Sequence, residues 1–268
     1  MKIHFLTYGD KKFYIAKKHL INLAKKSGLF DSFISMGPKD LDYTFKNKYS
    51  SILRENRGGG FWIWKHRIIK NLLKDVRKND LIVYCDAGAS INLMPKAIYR
   101  FKEYVEIIAS SKYGNFRMEC EKHFIEKYYS TNELFNYFQL EKDSSIGNST
   151  QLQAGHMIFK KNKHTDDYFL EYEKLLNERQ DLITDQYNLS EQVEGFIENR
   201  HDQSIFSILS KVYGAEIIEN ETEFRTRPKE QYDFPFLSVR TYGHGIRDYI
   251  DFLFLNKSRM DETVYFNE

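Results

Sequence analysis

The clearest pattern along the chain is an unbroken apolar run, Leu81-Ile82-Val83-Tyr84-Cys85, set between Asn79-Asp80 and Asp86-Ala87-Gly88. A run this short with turn residues at both ends fits a fully buried strand of an α/β sheet better than a helix. Upstream, residues 3–8 read as a first strand and residues 30–36 as a second. Between them, Ile15, Leu20, Leu23 and Ala24 mark the apolar side of a helix over residues 13–26. Strand, helix and strand at this spacing predict a parallel unit. After a polar stretch, Arg57-Gly58-Gly59-Gly60 opens an amphipathic helix, in which Trp64, Ile68 and Leu72 recur at helical spacing beside Ile69 and Leu73.

Residues 111–150 are charged and aromatic without steady periodicity, and they read as short helices and loops over the sheet edge, an expected lid. Gln153-Ala154-Gly155-His156-Met157-Ile158-Phe159 then predicts a strand entered through a glycine turn, followed by a helix over residues 165–179. A further helix starts at Arg200-His201-Asp202-Gln203 and carries Ile205, Ile208, Leu209 and Val212 on its apolar face. The last 40 or so residues hold Arg225-Thr226-Arg227-Pro228, Pro235 and Tyr242-Gly243-His244-Gly245, and read as an irregular tail wrapping the site. There is no internal repeat and no low-complexity linker. The pattern predicts an α/β fold in a single domain over residues 1–268: a central, mostly parallel sheet flanked by helices, with that tail at its end.

Composition narrows the function. A chain of 268 residues buries a sizeable core, and Lys+Arg 40 against Asp+Glu 38 leaves a net charge of +2, far from the basic excess of a dedicated nucleic-acid binder. Local basic pairs, Lys11-Lys12, Lys17-Lys18 and Lys25-Lys26, are either solvated helix faces or contacts to phosphates or an anionic membrane surface. Two cysteines, Cys85 and Cys120, make neither a disulfide framework nor a zinc cluster, so a reducing, cytoplasmic setting is expected. No window approaches the ~18 apolar residues of a membrane helix, and at most a peripheral position at the inner face of a membrane is expected. Aromatic content of 16% suits a surface that stacks on sugars or bases.

Four places could carry chemistry. Asp86 leaves a buried strand at its carboxyl end, where ligands of α/β sheets collect, although Asp-x-Gly is also ordinary turn chemistry. The glycine run at 58–60 matches neither a Walker loop nor the dinucleotide fingerprint. Arg54, Arg57 and Lys65 around it either neutralise a pyrophosphate or are ordinary solvated charges. His201-Asp202 at a helix start reads as a cap that can at the same time be an oriented carboxylate, whose pKa the helix dipole would lower. His244, between two glycines, is either an exposed turn residue or free to approach a ligand.

The order of these segments resembles that of GT-A-type glycosyltransferases of bacteria and viruses that work on surface glycans. The matching segments are Thr7-Tyr8-Gly9-Asp10, Gly60-Phe61-Trp62-Ile63-Trp64-Lys65, Tyr84-Cys85-Asp86-Ala87-Gly88, Gln153-Ala154-Gly155 with Phe159-Lys160-Lys161, and Arg200-His201-Asp202-Gln203-Ser204. The resemblance implies transfer of a hexose from a nucleotide sugar, expected to be UDP-linked, to a hydroxyl of a surface glycan or glycolipid. Residues 1–110 would then be the nucleotide-sugar half and residues 111–268 the acceptor half and tail. It implies donor contacts from Thr7, Tyr8, Gly9, Arg54, Arg57, Lys65, Asp86, Ala87, Gly88, Gln153 and Gly155, and catalytic roles for Asp202 and His201. Mn²⁺ or Mg²⁺ would be held by Asp86 and His244, hard ions suiting carboxylate and phosphate oxygens. One departure stands out: Gly88 replaces the second carboxylate of the family's Asp-x-Asp motif. Two other classes compete, a sugar nucleotidyltransferase, which would normally show a glycine-rich N-terminal loop, and a non-catalytic carbohydrate-binding module.

Overall fold

The computed structural model describes residues 1–223 and 233–239. The chain begins with β1 (Ile3–Tyr8), α1 (Tyr14–Ser27), β2 (Ser32–Met36) and α2 (Tyr43–Lys48), then the short turn α3 (Gly58–Phe61), α4 (Trp64–Asp75), β3 (Leu81–Cys85) and β4 (Ser90–Ile91). The second half carries α5 (Pro95–Ser110), β5 (Asn115–Met118), α6 (Glu126–Tyr129), α7 (Asn132–Tyr137), β6 (His156–Lys160), α8 (Lys163–Glu178), α9 (Asp202–Tyr213), β7 (Glu216–Ile218) and β8 (Phe236–Leu237).

Six strands form one sheet in the order β2-β1-β3-β6-β5-β7. The strands β2, β1 and β3 run parallel, β6 pairs antiparallel with both β3 and β5, and β5 and β7 are parallel to each other. Alternation along the strands separates two cores. Leu6, Tyr8, Ile82, Tyr84, Met157 and Phe159 face α4, α8 and α9, whose Ile68, Ile69, Tyr168, Phe169, Phe206 and Leu209 complete one cluster. Phe5, Val83, Cys85 and Ile158 face the other way, onto Leu20 and Leu23 of α1 and Phe101, Tyr104 and Ile108 of α5. All five residues of β3 are buried, as the apolar run predicts. Asp42 and Asn162 cap α2 and α8 by accepting from the N–H groups of Phe45 and Thr165, each at 2.9 Å.

Several expectations are corrected. The stretch 111–150 is not only lid: Asn115–Met118 is a strand of the main sheet, between β6 and β7. The helix Pro95–Ser110 leaves no mark in the reading above, whereas the strand entered through the Gly155 turn is present as His156–Lys160. The glycine run does not open α4 directly. Gly58, Gly59, Gly60, Phe61 and Trp62 all have positive φ, from 52° to 95°, so the chain makes a left-handed turn before Trp64 starts the helix. Of the expected tail, residues 233–239 are described, and there Phe236–Leu237 pairs antiparallel with Ser90–Ile91. Cys85 and Cys120 are buried free thiols. Among the described residues no helix is long and apolar enough to cross a membrane.

Candidate active site

The sheet delivers Asp86 one residue beyond β3. Its N–H donates to the Gly155 carbonyl at 2.8 Å and its own carbonyl accepts from Ala89 N–H at 2.9 Å, which fixes the turn. The Tyr84 hydroxyl donates to Oδ1 at 2.6 Å, and Lys65 Nζ lies 3.3 Å from the same oxygen. The side chain remains 42% exposed, so Asp86 is held from below and open above. Gly9, at the end of β1, lets this turn come close: a Cβ there would stand 2.8 Å from Phe13 Cβ and 3.2 Å from Ala87 Cβ.

Lys65 comes from the first turn of α4 and is buried. Its ammonium lies 2.7 Å from Asp202 Oδ2 and donates to the Ala154 carbonyl at 3.1 Å. Burial works against the charge on Lys65, but Asp202 and Asp86 together outweigh it and raise its pKa. Asp202 is the first helical residue of α9, with His201 in the N-cap position. The expected dipole-lowered carboxylate is corrected by burial, which pushes Asp202 up to about 6 against the pull of Lys65. Dipole effects of a few tenths to about 1 kcal/mol yield to the larger cost of a desolvated charge.

Above Asp86 lies a cleft of about 830 Å³. Its lining comes from the ends of all six strands of the sheet: Pro38 after β2, Tyr8 and Gly9 at β1, Asp86 after β3, Gly155 before β6, Cys120 after β5 and Asn220 after β7. Tyr8 stacks on Trp64 with ring centroids 3.8 Å apart, and both reach the lining. The left-handed turn contributes Gly58, Gly59 and Trp62. Gly60 within it is required by space as well as by φ, since a Cβ would fall 2.8 Å from Leu53 Cα. Positive φ at Phe61 and Trp62 costs roughly 1–2 kcal/mol each, strain of the kind that gathers at ligand sites.

Of the residues proposed from sequence, Tyr8, Gly9, Arg54, Asp86, Ala87, Gly88, Gln153 and Gly155 line this cleft. Thr7, Arg57, Lys65, His201 and Asp202 are not among its lining. Thr7 is fully buried in β1, and Arg57 turns to Glu198 at 2.8 Å. His201 is buried with its ring stacked on Phe61 at 4.6 Å and Nδ1 3.0 Å from the Ile183 carbonyl. Burial lowers its pKa, so it stays neutral. His244 lies outside the described residues.

Sequence reasoning passed over Lys46, His156, Arg200 and Gln203 as site residues and gave Lys12 only within a basic pair able to touch phosphates; all five line the cleft. Arg200 and Gln203 flank His201-Asp202 within a segment already singled out, so the signal was present. Burial pushes His156 down to about 4. Among the described residues no three His, Cys, Asp or Glu side chains are grouped to hold a metal ion. Asp86 offers only Oδ2, because Tyr84 and Lys65 occupy Oδ1. The described residues alone therefore do not fit the oxygen-rich cage of a divalent ion.

No protein-family model matches the sequence, and no curated protein matches it. Solved structures do match in fold. A glycosyltransferase involved in glycosylation of the major capsid of PBCV-1 aligns over 90% of this chain and 95% of its own, with 12% identity and a TM-score of 0.52. The galactosyltransferase LgtC, solved with donor and acceptor sugar analogues, aligns over 84% and 75%, with 13% identity and a TM-score of 0.44. A putative glucose-1-phosphate thymidylyltransferase from Bacillus anthracis aligns over 81% and 87%, with 11% identity and a TM-score of 0.36. The chain has the GT-A fold: a mostly parallel six-stranded sheet flanked by helices.

Proposed function

We propose that this GT-A-fold chain is a glycosyltransferase that moves a hexose from a UDP-linked sugar to a hydroxyl of a surface glycan or glycolipid. The observation that carries the reading is the cleft across the strand ends with Asp86 on its floor and Lys12, Lys46 and Arg54 on its wall. These cations come from the segments that follow β1 and β2, and among the described residues none of the three is in an ion pair. They suit the charge that develops on a departing nucleoside diphosphate. Stabilisation of the leaving group is assigned to these side chains. Asp86, held through Oδ1, presents Oδ2 as an acceptor for a donor hydroxyl or as a single ligand for Mn²⁺ or Mg²⁺.

Asp202 acts beneath the floor as a positioning residue: its charge keeps Lys65 in place, and Lys65 in turn orients Asp86. His201 packs the same layer against Phe61. The exposed Lys18, Lys25 and Lys26 of α1 would meet anionic headgroups if the acceptor is a membrane glycolipid. Lys17 takes no part in that surface, since its Nζ donates to the carbonyls of Gly9 and Met36.

The test is a melting-temperature panel of UDP, GDP, UDP-hexoses and a nucleoside triphosphate with sugar 1-phosphate, each with and without Mn²⁺. UDP and a UDP-hexose are expected to raise the transition, because they bind only the native state. A shift confined to the triphosphate would favour nucleotidyl transfer instead. No shift with any nucleotide would overturn the proposal.

A further inference from the structure

Three successive carbonyls at the cleft floor are each held by a donor from a different part of the fold. The Gln153 carbonyl accepts from Arg117 Nη2 of β5 at 2.6 Å, the Ala154 carbonyl from Lys65 Nζ of α4 at 3.1 Å, and the Gly155 carbonyl from the Asp86 N–H after β3 at 2.8 Å. On the donor side, the N–H of Gln153 bonds the Met118 carbonyl at 3.0 Å and that of Ala154 bonds Gln203 Oε1 at 3.3 Å. The turn at 153–155 is thus fixed from both sides. It also stands against the oxygen that Asp86 leaves open, since a Cβ on Gly155 would lie 3.4 Å from Asp86 Oδ2. Any shift of this turn moves the surroundings of Oδ2.

Of the three donors, Arg117 is the one whose presence needs a reason. It is fully buried, and among the described residues no carboxylate forms an ion pair with it. Nε and Nη1 have no hydrogen-bond partner, and the guanidinium stands 5.4 Å from the centre of the Phe206 ring. Burial lowers its pKa, opposed by Tyr168 and Asp202. A buried cation with a single hydrogen bond is costly, and an apolar side chain of similar length would fill the same space without that cost. Costs of this kind gather at functional sites.

We propose that Arg117 is a positioning residue for glycosyl transfer: through the Gln153 carbonyl it sets the turn at 153–155, and so the place of Asp86 Oδ2 against the donor sugar. Lys65 holds the next carbonyl of the same turn and meets Asp86 directly at Oδ1. Arg117 is absent from the cleft lining and acts only through the backbone. The inference rests on reading the cleft as a glycosyltransferase site and adds a residue that never reaches the ligand.

The experiment compares the full chain with R117M, R117K and I108A, the last a cavity in the core on the opposite face of the sheet that controls for lost stability. Turnover of UDP-glucose and UDP-galactose is one readout. Hydrogen exchange of the Asp86 amide, followed by NMR, is the other and needs no activity. R117M should lower kcat by about tenfold or more, the worth of a charge-assisted hydrogen bond, with donor KM and UDP affinity close to those of the parent. The Asp86 amide should exchange faster relative to the amides of β1. R117K, which keeps the cation without the flat fork, should fall between parent and R117M in both readouts, and it carries the test alone if R117M does not fold. I108A should lose stability with neither change. Parent-like kcat or parent-like Asp86 exchange in R117M, or in R117K where that variant stands alone, would overturn the proposal, as would the same two changes in I108A. A parent that neither binds UDP nor turns over a UDP-hexose would count against the function proposed above, while the exchange readout would still decide whether Arg117 holds the turn.

Discussion

Asp86 and Asp202 share one lysine and live in opposite surroundings. Asp86 is 42% exposed on the cleft floor, whereas Asp202 is 5% exposed in the layer beneath it, and Lys65 lies 3.3 Å from the first and 2.7 Å from the second. In the sealed layer a lone charge would be costly, so Asp202 is shifted toward its neutral form and Lys65 is kept charged by the pair. On the open floor Asp86 is exposed, and its Oδ2 is available to a ligand. The contrast separates a carboxylate that can touch a substrate from one that shapes the first through a shared cation.

The largest expected effect comes from removing the shared cation. Lys65→Met leaves a buried carboxylate without its partner and should cost about 3–5 kcal/mol of stability, read as a lower urea midpoint at neutral pH. An unchanged midpoint would mean that the buried pair contributes nothing. Next, Asp86→Asn should cut turnover by about 10²–10³, the range for loss of one site group acting on developing charge, while its urea midpoint stays that of the parent. Asp202→Asn should lower turnover less than Asp86→Asn does. The reverse ranking would place Asp202, not Asp86, at the substrate.

The pH dependence sharpens the same comparison. Asp202 has a folded pKa of about 6, above its ordinary 3.8, so its contribution is fully present below pH 3.8 and is lost as pH rises through about 6. The loss amounts to roughly 3 kcal/mol at most. Stability profiles of the parent and Asp202→Asn between pH 4 and 7 should therefore diverge, with the parent losing ground relative to the variant as pH rises. Parallel profiles would refute the raised pKa. Two buried histidines work in the opposite direction. Burial lowers His66 to about 3 and His156 to about 4, so the unfolded chain takes up protons that the folded chain refuses as pH falls below 6.5. Each contributes an acid limb of roughly 1.4 kcal/mol per pH unit at most, and His156→Gln should make that limb shallower. The change is measured as melting temperature at pH 4 to 6.

Legibility followed chemistry that is local in the chain. The strand Leu81–Cys85 was readable because every position is apolar and buried. The strand Asn115–Met118 was not, because Asn115 and Arg117 are fully buried polar residues that break the apolar pattern. They are accommodated by distant partners: Asn115 donates to Ser210 Oγ at 2.9 Å, and Arg117 donates to the Gln153 carbonyl at 2.6 Å and stands over the Phe206 ring. The three glycines read as the opening of a helix, and the left-handed turn they make instead was not legible. That Phe61 and Trp62 continue it in the left-handed region was not legible either, since large apolar side chains disfavour that conformation.

The same division holds for the site. By itself the sequence determined that an apolar strand ends in Asp86 and that a helix begins at Asp202; the resemblance to GT-A glycosyltransferases added that Gly88 stands where a second carboxylate would be expected. Only the tertiary structure decided that Lys65 joins the two carboxylates, that Arg57 turns away to Glu198 and that Arg200 enters the cleft. Strand and helix ends are written in neighbouring residues through burial and hydrogen bonding along the chain. Whether a charge faces water or a partner depends on elements that meet only when the sheet is assembled.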